Sequence, residues 1–164
     1  SLSHTKEPGW DGLSHLRGFV ERAIAEKADV ILDLGDRFSD QTRETDYRDA
    51  LELAPIFKAF PGPRVHILGN HDVSNLSIAD NEEIFGQSMQ SRVLDLGETR
   101  LIAWQPDVRL EKVVGFPKAE PHLQWLIDAL NADQRPAIIA SHVPVSGHSQ
   151  IGNYYFERNA HYAT

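Results

Sequence analysis

Three short runs of branched apolar residues stop abruptly at polar residues able to bind metal, and that arrangement limits the fold more than any other feature of the chain. The runs are Asp29-Val-Ile-Leu-Asp-Leu-Gly35-Asp36, Arg64-Val-His-Ile-Leu68 followed by Gly69-Asn70-His71-Asp72, and Pro136-Ala-Ile-Ile-Ala140 followed by Ser141-His142. Their length and branching predict buried strands. Each follows a stretch of helical periodicity. Between Asp11 and Ala28 the apolar face carries Leu13, Leu16, Phe19, Val20, Ala23 and Ile24, with Arg17, Glu21, Arg22 and Glu26 opposite and Asp11 as the cap. A second helix is predicted from Asp46 to Phe60, where Pro61-Gly62-Pro63 breaks it, and a third from Pro117 to Asn131 on Leu123, Leu126, Ile127 and Leu130.

Asn75 to Gln90 reads as partly helical, and Arg92 to Leu96 with Thr99 to Gln105 reads as a pair of strands around Gly97-Glu98. Helices therefore alternate with strands, the pattern of an α/β layered domain. In such sheets ligands bind beyond the carboxyl ends of the strands. Asp36, Asn70, His71, Asp72 and His142 all fall there, so Asp36, Asn70 and His142 are expected to converge at one sheet edge.

Composition narrows the chemistry. At 164 residues, one domain spanning 1–164 is the expectation, and a chain of this size hides roughly 70% of its unfolded surface without needing a staple. There is no cysteine, which removes disulfides, thiol nucleophiles and thiolate metal sites together. Any metal must be held by His, Asn, Asp or Glu, a donor set suited to Mn, Fe or Zn. The net charge of −8 argues against nucleic acid and anionic membranes as partners. No apolar run reaches the eighteen or so residues of a membrane span. Ser1-Leu-Ser-His4 has neither signal-peptide nor initiator character. The expectation is a cytoplasmic protein whose first residue is a cut.

Gly35-Asp36, Gly69-Asn70-His71-Asp72 and Ser141-His142-Val143-Pro144, in that order, resemble the middle three motifs of the calcineurin-like metallophosphoesterases. The resemblance implies a sandwich of mixed β-sheets flanked by helices and hydrolysis of a phosphoester, by a phosphodiesterase or phosphatase, using metal-activated water. It implies a dinuclear divalent centre of Mn, Fe or Zn, with Asp36 bridging the metals and Asn70 and His142 as ligands. It gives His71, held by Asp72, the task of hydrogen-bonding the phosphoryl oxygens or protonating the leaving group. A small phosphoester is the substrate so implied. The family's outer motifs, Asp-x-His and Gly-His-x-His, are not found: Leu2-Ser3-His4 offers only the histidine, and Gly147-His148-Ser149-Gln150 lacks the second one. Both are expected outside this chain, which is then truncated at both ends. If the protein itself lacks them, the alternative is a metal-poor protein-interaction scaffold on the same fold.

Other polar residues read more plainly. Asp33 is expected to be a structural carboxylate, and Arg37 either a structural ion pair or a phosphate contact. His15, His66, His122 and His161 read as packed or solvated, and Tyr154, Tyr155 and Phe156 as a satellite core or a stacking wall.

Overall fold

The computed structural model describes residues 11–38, 40–109 and 120–143. The chain divides into two compact units, the first ending at Met89 and the second beginning at Gln90. The expectations for His4, for Gly147 to Gln150, for Tyr154, Tyr155 and Phe156, and for His161 lie outside the described residues.

In the first unit, helix α1 spans Gly12–Ala25, and the Asp11 carboxylate caps it by accepting from Ser14 N at 3.1 Å. The helix stops three residues before the predicted Ala28, and the reason is a Schellman turn. Lys27 takes a left-handed backbone (φ 55°), its N–H donates to Ile24 O, and Ala28 N–H donates to Ala23 O at 2.9 Å. Of the predicted apolar stripe, Leu16 and Val20 are buried, while Phe19 and Ile24 are exposed.

Strand β1 (Ile31–Asp33) pairs in parallel with β2 (Arg64–His66), with Asp33 opposite His66. Between them runs α2 (Arg43–Lys58), a crossover helix of the kind that parallel pairing needs. It begins before the predicted Asp46 because Thr42 Oγ1 accepts from Thr45 N at 3.2 Å. The strands are shorter than their apolar runs suggest. Asp33 Oδ1 accepts from Gly35 N at 3.1 Å, and this turn carries the chain out of the sheet into two left-handed residues, Gly35 (φ 88°) and Asp36 (φ 56°). Beyond β2 comes a single 3-10 turn, His71–Val73, and then α3 (Ile78–Phe85). A capping box between Ser77 and Asp80 opens α3, and left-handed Gly86 closes it. This resolves the ambiguous stretch from Asn75 to Gln90 as one short helix.

The second unit is a three-stranded sheet in the order β3 (Arg92–Asp95), β4 (Arg100–Ala103), β5 (Ala137–Ala140). The β3–β4 pair is antiparallel around Gly97 (φ 81°), as its sequence predicts, and β5 runs parallel to β4. Helix α4 (Glu120–Asn131) makes the crossover. Trp104 Nε1 donates to His122 O at 3.1 Å, and the buried Arg100 guanidinium donates to Ala129 O at 2.7 Å and Asp133 O at 2.6 Å, so both ends of α4 are tied to β4.

Candidate active site

The two motif loops of the first unit leave parallel neighbours at the same end, so strand direction alone brings them together. Their closeness is extreme. A Cβ built on Gly35 would run into the backbone of Gly69, and one built on Gly69 would run into the backbone N and carboxylate of Asp36. Glycine at both positions is therefore a packing requirement, beyond the positive φ of Gly35.

Asp72 is the hub. Its side chain is fully buried, and its Oδ2 accepts from Gly69 N at 2.8 Å and Asp36 N at 3.0 Å while Oδ1 accepts from Arg37 N at 2.9 Å. The Arg37 guanidinium lies 3.2 Å from the same carboxylate. One side chain thus satisfies three backbone donors at the start of two loops, which would otherwise be buried without partners. Asp36 returns the link: its Oδ1 accepts from His71 N at 3.2 Å, across 35 residues of sequence.

This geometry corrects one expectation. Asp72 is not the carboxylate that holds the His71 ring; His71 Nδ1 instead lies 3.2 Å from Asp40 Oδ1, and both side chains are 39% exposed. Adjacent residues of a 3-10 turn point about 120° apart, so the same turn sends Asp72 inward and His71 outward. The sequence reading missed Asp40. Its only signal was a second carboxylate in the loop that follows Gly35-Asp36.

Beneath the loops, Arg37 Nη1 donates to Asp33 Oδ2 at 2.6 Å and to Ile67 O at 3.2 Å, and Nη2 donates to Asn81 Oδ1 at 3.3 Å. Arg37 is buried, so it serves as a structural ion pair and not as a phosphate contact. Burial alone would raise the Asp33 carboxyl, but the Arg37 charge and the hydrogen bond from His66 overcome it and hold Asp33 at about 2. Burial works against the charge on Arg37 as well, and Asp72 and Asp33 outweigh it. Asp72 is pushed above its ordinary value by burial, against the pull of Arg37 and the backbone donors. His66 Nδ1 lies 2.9 Å from Asp33 Oδ2, and burial lowers its basicity, so it sits packed and neutral against Phe57 and Phe85.

The hard donors that these loops supply are the Asp36 carboxylate and the side chain of Asn70, which makes no capping bond to its own turn. Carboxylate and amide oxygens suit a divalent cation. Among the described residues, no group of three or more His, Asp or Glu is placed to hold a metal ion. His142 follows β5 by two residues in the second unit, half-buried, at the strand end its sequence predicts. Among the described residues no helix is long and apolar enough to cross a membrane.

Comparison with known proteins agrees with this architecture. No curated protein matches the chain. Among solved structures, a dimetal phosphatase from Danio rerio superposes with a TM-score of 0.65 at 16% identity, covering 82% of this chain. This chain spans 60% of the length of that protein. The likeness shows a shared fold. A family model described as calcineurin-like phosphoesterase matches residues 3–162. With nearly the whole chain matched, the protein belongs to the calcineurin-like phosphoesterase family.

Proposed function

We propose that the chain hydrolyses a small phosphomonoester or phosphodiester, with Asp36 and Asn70 as metal ligands and His71 as the residue that acts on the phosphoryl group. The observation that carries this reading is the hydrogen bond from His71 N to Asp36 Oδ1, which sets the proposed ligand and the imidazole ring on adjoining loops. The family match supports it. The assignment of His142 as a further ligand rests on motif order alone.

When bound, divalent cations at such a site neutralise phosphoryl charge and make water a nucleophile at neutral pH. The chain's own residues do the rest. Asp36 and Asn70 fix the donors from rigid turns. His71, exposed enough to meet a substrate, donates a hydrogen bond to a phosphoryl oxygen or a proton to the departing alkoxide from Nε2, with the Asp40 carboxylate 3.2 Å from Nδ1 to hold the ring. Asp72 shapes the loops without touching the substrate.

The test is metal-dependent hydrolysis of p-nitrophenyl phosphate and bis-p-nitrophenyl phosphate after chelation and restoration of Mn²⁺, Fe²⁺ or Zn²⁺. His71→Ala should lower turnover about 10²–10⁴-fold, the usual worth of a positioned acid, with metal content nearly unchanged. The loss should be smaller for a nitrophenol leaving group than for an alkyl one, which needs the proton more. Asp36→Asn should lose metal and activity together. If His71→Ala strips the metal, the ring is a ligand; if no phosphoester is turned over by the protein with its flanking segments included, the scaffold reading takes its place.

A further inference from the structure

Arg37 ties together four parts of the first unit, and neither motif includes it. Its guanidinium reaches the end of β1 through Asp33, the chain leaving β2 through Ile67 O, the 3-10 turn through Asp72, and α3 through Asn81. The ring of Phe85 lies under it, 4.5 Å from the guanidinium carbon, and its side chain is wholly buried. Its own N–H and that of Asp36 are the two donors by which the Gly-Asp loop grips Asp72. A planar fork with donors on both sides matches this set of acceptors, where a lysine ammonium, a single point charge, does not.

We propose that Arg37 is a positioning residue for the hydrolytic site, a buried clamp whose forked contacts to Asp33 and Asp72 set the spacing between Asp36 and the Asn70–His71 turn. This inference rests on the proposed phosphoesterase reading for its consequence, but its geometry does not. The carboxylate of Asp72 is shared between the Arg37 side chain and the backbone donors of both loops, so whatever moves Arg37 moves those donors. Asp36, held in a left-handed conformation that a non-glycine residue adopts at a cost, depends on that grip to stay there. Partners one step removed from a metal ligand are typically worth about 10–100-fold in metal affinity or rate, and Arg37 acts at that remove.

The experiment uses the full chain and Arg37→Lys, which keeps the charge and loses the fork. Amide hydrogen exchange of the metal-free protein should show the Asp36, Arg37 and Gly69 N–H groups exchanging about tenfold faster or more, while Val20 in α1 is unchanged, as a local rather than global opening requires. Mn²⁺ affinity should fall within the same 10–100-fold range. Turnover at saturating metal should fall with KM nearly constant, a split that a mere loss of folded protein would not produce. Should Arg37→Lys not fold, Phe85→Leu removes the ring that seats the guanidinium without stranding a charge, and should loosen the same three amides to a lesser degree. Unchanged exchange at those amides together with unchanged Mn²⁺ affinity, in a folded variant, overturns the proposal. If the amides loosen and Mn²⁺ binding weakens while the protein hydrolyses no phosphoester even with its flanking segments included, the clamp stands and the enzyme reading fails.

Discussion

Each unit contains an arginine held between two aspartates. In the first, Arg37 stands between Asp33 and Asp72, with side-chain exposures of 0%, 10% and 0%. In the second, Arg135 forks to Asp95 at 2.9 Å and to Asp133 at 2.6 Å, with 37%, 68% and 30% exposed. The contacts are of similar length, so the distances do not tell the two apart. What differs is what each side chain would do without its partners. Water can take over the second set and cannot take over the first. The exposed trio staples the β3–β4 turn to the start of β5, where Arg135 also donates to Gly97 O. The buried one organises the loops that carry Asp36 and His71. Charge has been taken out of water in the unit where backbone donors of two loops had to be satisfied at once.

The largest effect expected from this contrast is on Asp72→Ala. It strands three backbone donors and leaves the buried Arg37 charge with Asp33 as its one remaining carboxylate, and breaking a buried pair of this kind costs about 3–5 kcal/mol. Denaturant titration followed through the amide signals of the first unit measures it. Asp95→Ala in the second unit should shift its midpoint far less, and a comparable loss there would break the comparison.

Acid provides the next test. Asp33 is held at about 2 against an ordinary 3.8, so its contribution to stability is complete above pH 4 and is lost as pH falls through about 2. The shift corresponds to about 2 kcal/mol. His66 adds to this acid loss, since burial lowers its pKa and its neutral form is favoured above the ordinary 6.5. Asp72 opposes it, because a raised carboxyl takes up its proton more readily in the folded chain and loses that contribution as pH rises. The first unit should therefore lose protection on acidification with little dependence on salt. Asp33→Asn should flatten that response.

The smallest effect is on the exposed trio. At 1 M salt, where the Debye length is about 3 Å, Arg135→Ala should become indistinguishable from the unaltered chain. A salt-independent penalty would show that Arg135 acts through its bond to Gly97 O and not through charge.

Which parts of this were legible in the sequence follows from the same physics. Gly35-Asp36 and Gly69-Asn70 were placed at strand ends because apolar runs must stop where the chain turns polar, and parallel strands deliver such ends to one edge. The apolar runs overstate the strand lengths, since the hydrogen bond that Gly35 N donates to Asp33 Oδ1 ends β1 inside its run. Residue order in Asn70-His71-Asp72 does not reveal which way each side chain points, so Asp72 was given to the wrong partner. Asn81 carried no signal at all: its role depends on α3 packing under Arg37, a contact spanning 44 residues. Phe19 and Ile24 keep helical spacing without burial: α1 ends at Ala25, and the stripe it buries, on Leu16 and Val20, is narrower than the spacing suggests.

Paramagnetic broadening by Mn²⁺ tests most directly the claim that these two loops form the metal site. Titrating the metal-free chain with Mn²⁺ while recording backbone amide signals should extinguish residues 35–37 and 69–72 first, and Asp36→Asn should abolish that selectivity. Strongest broadening at other carboxylates, such as Asp95 and Asp133, or equal broadening throughout the chain, would contradict the account.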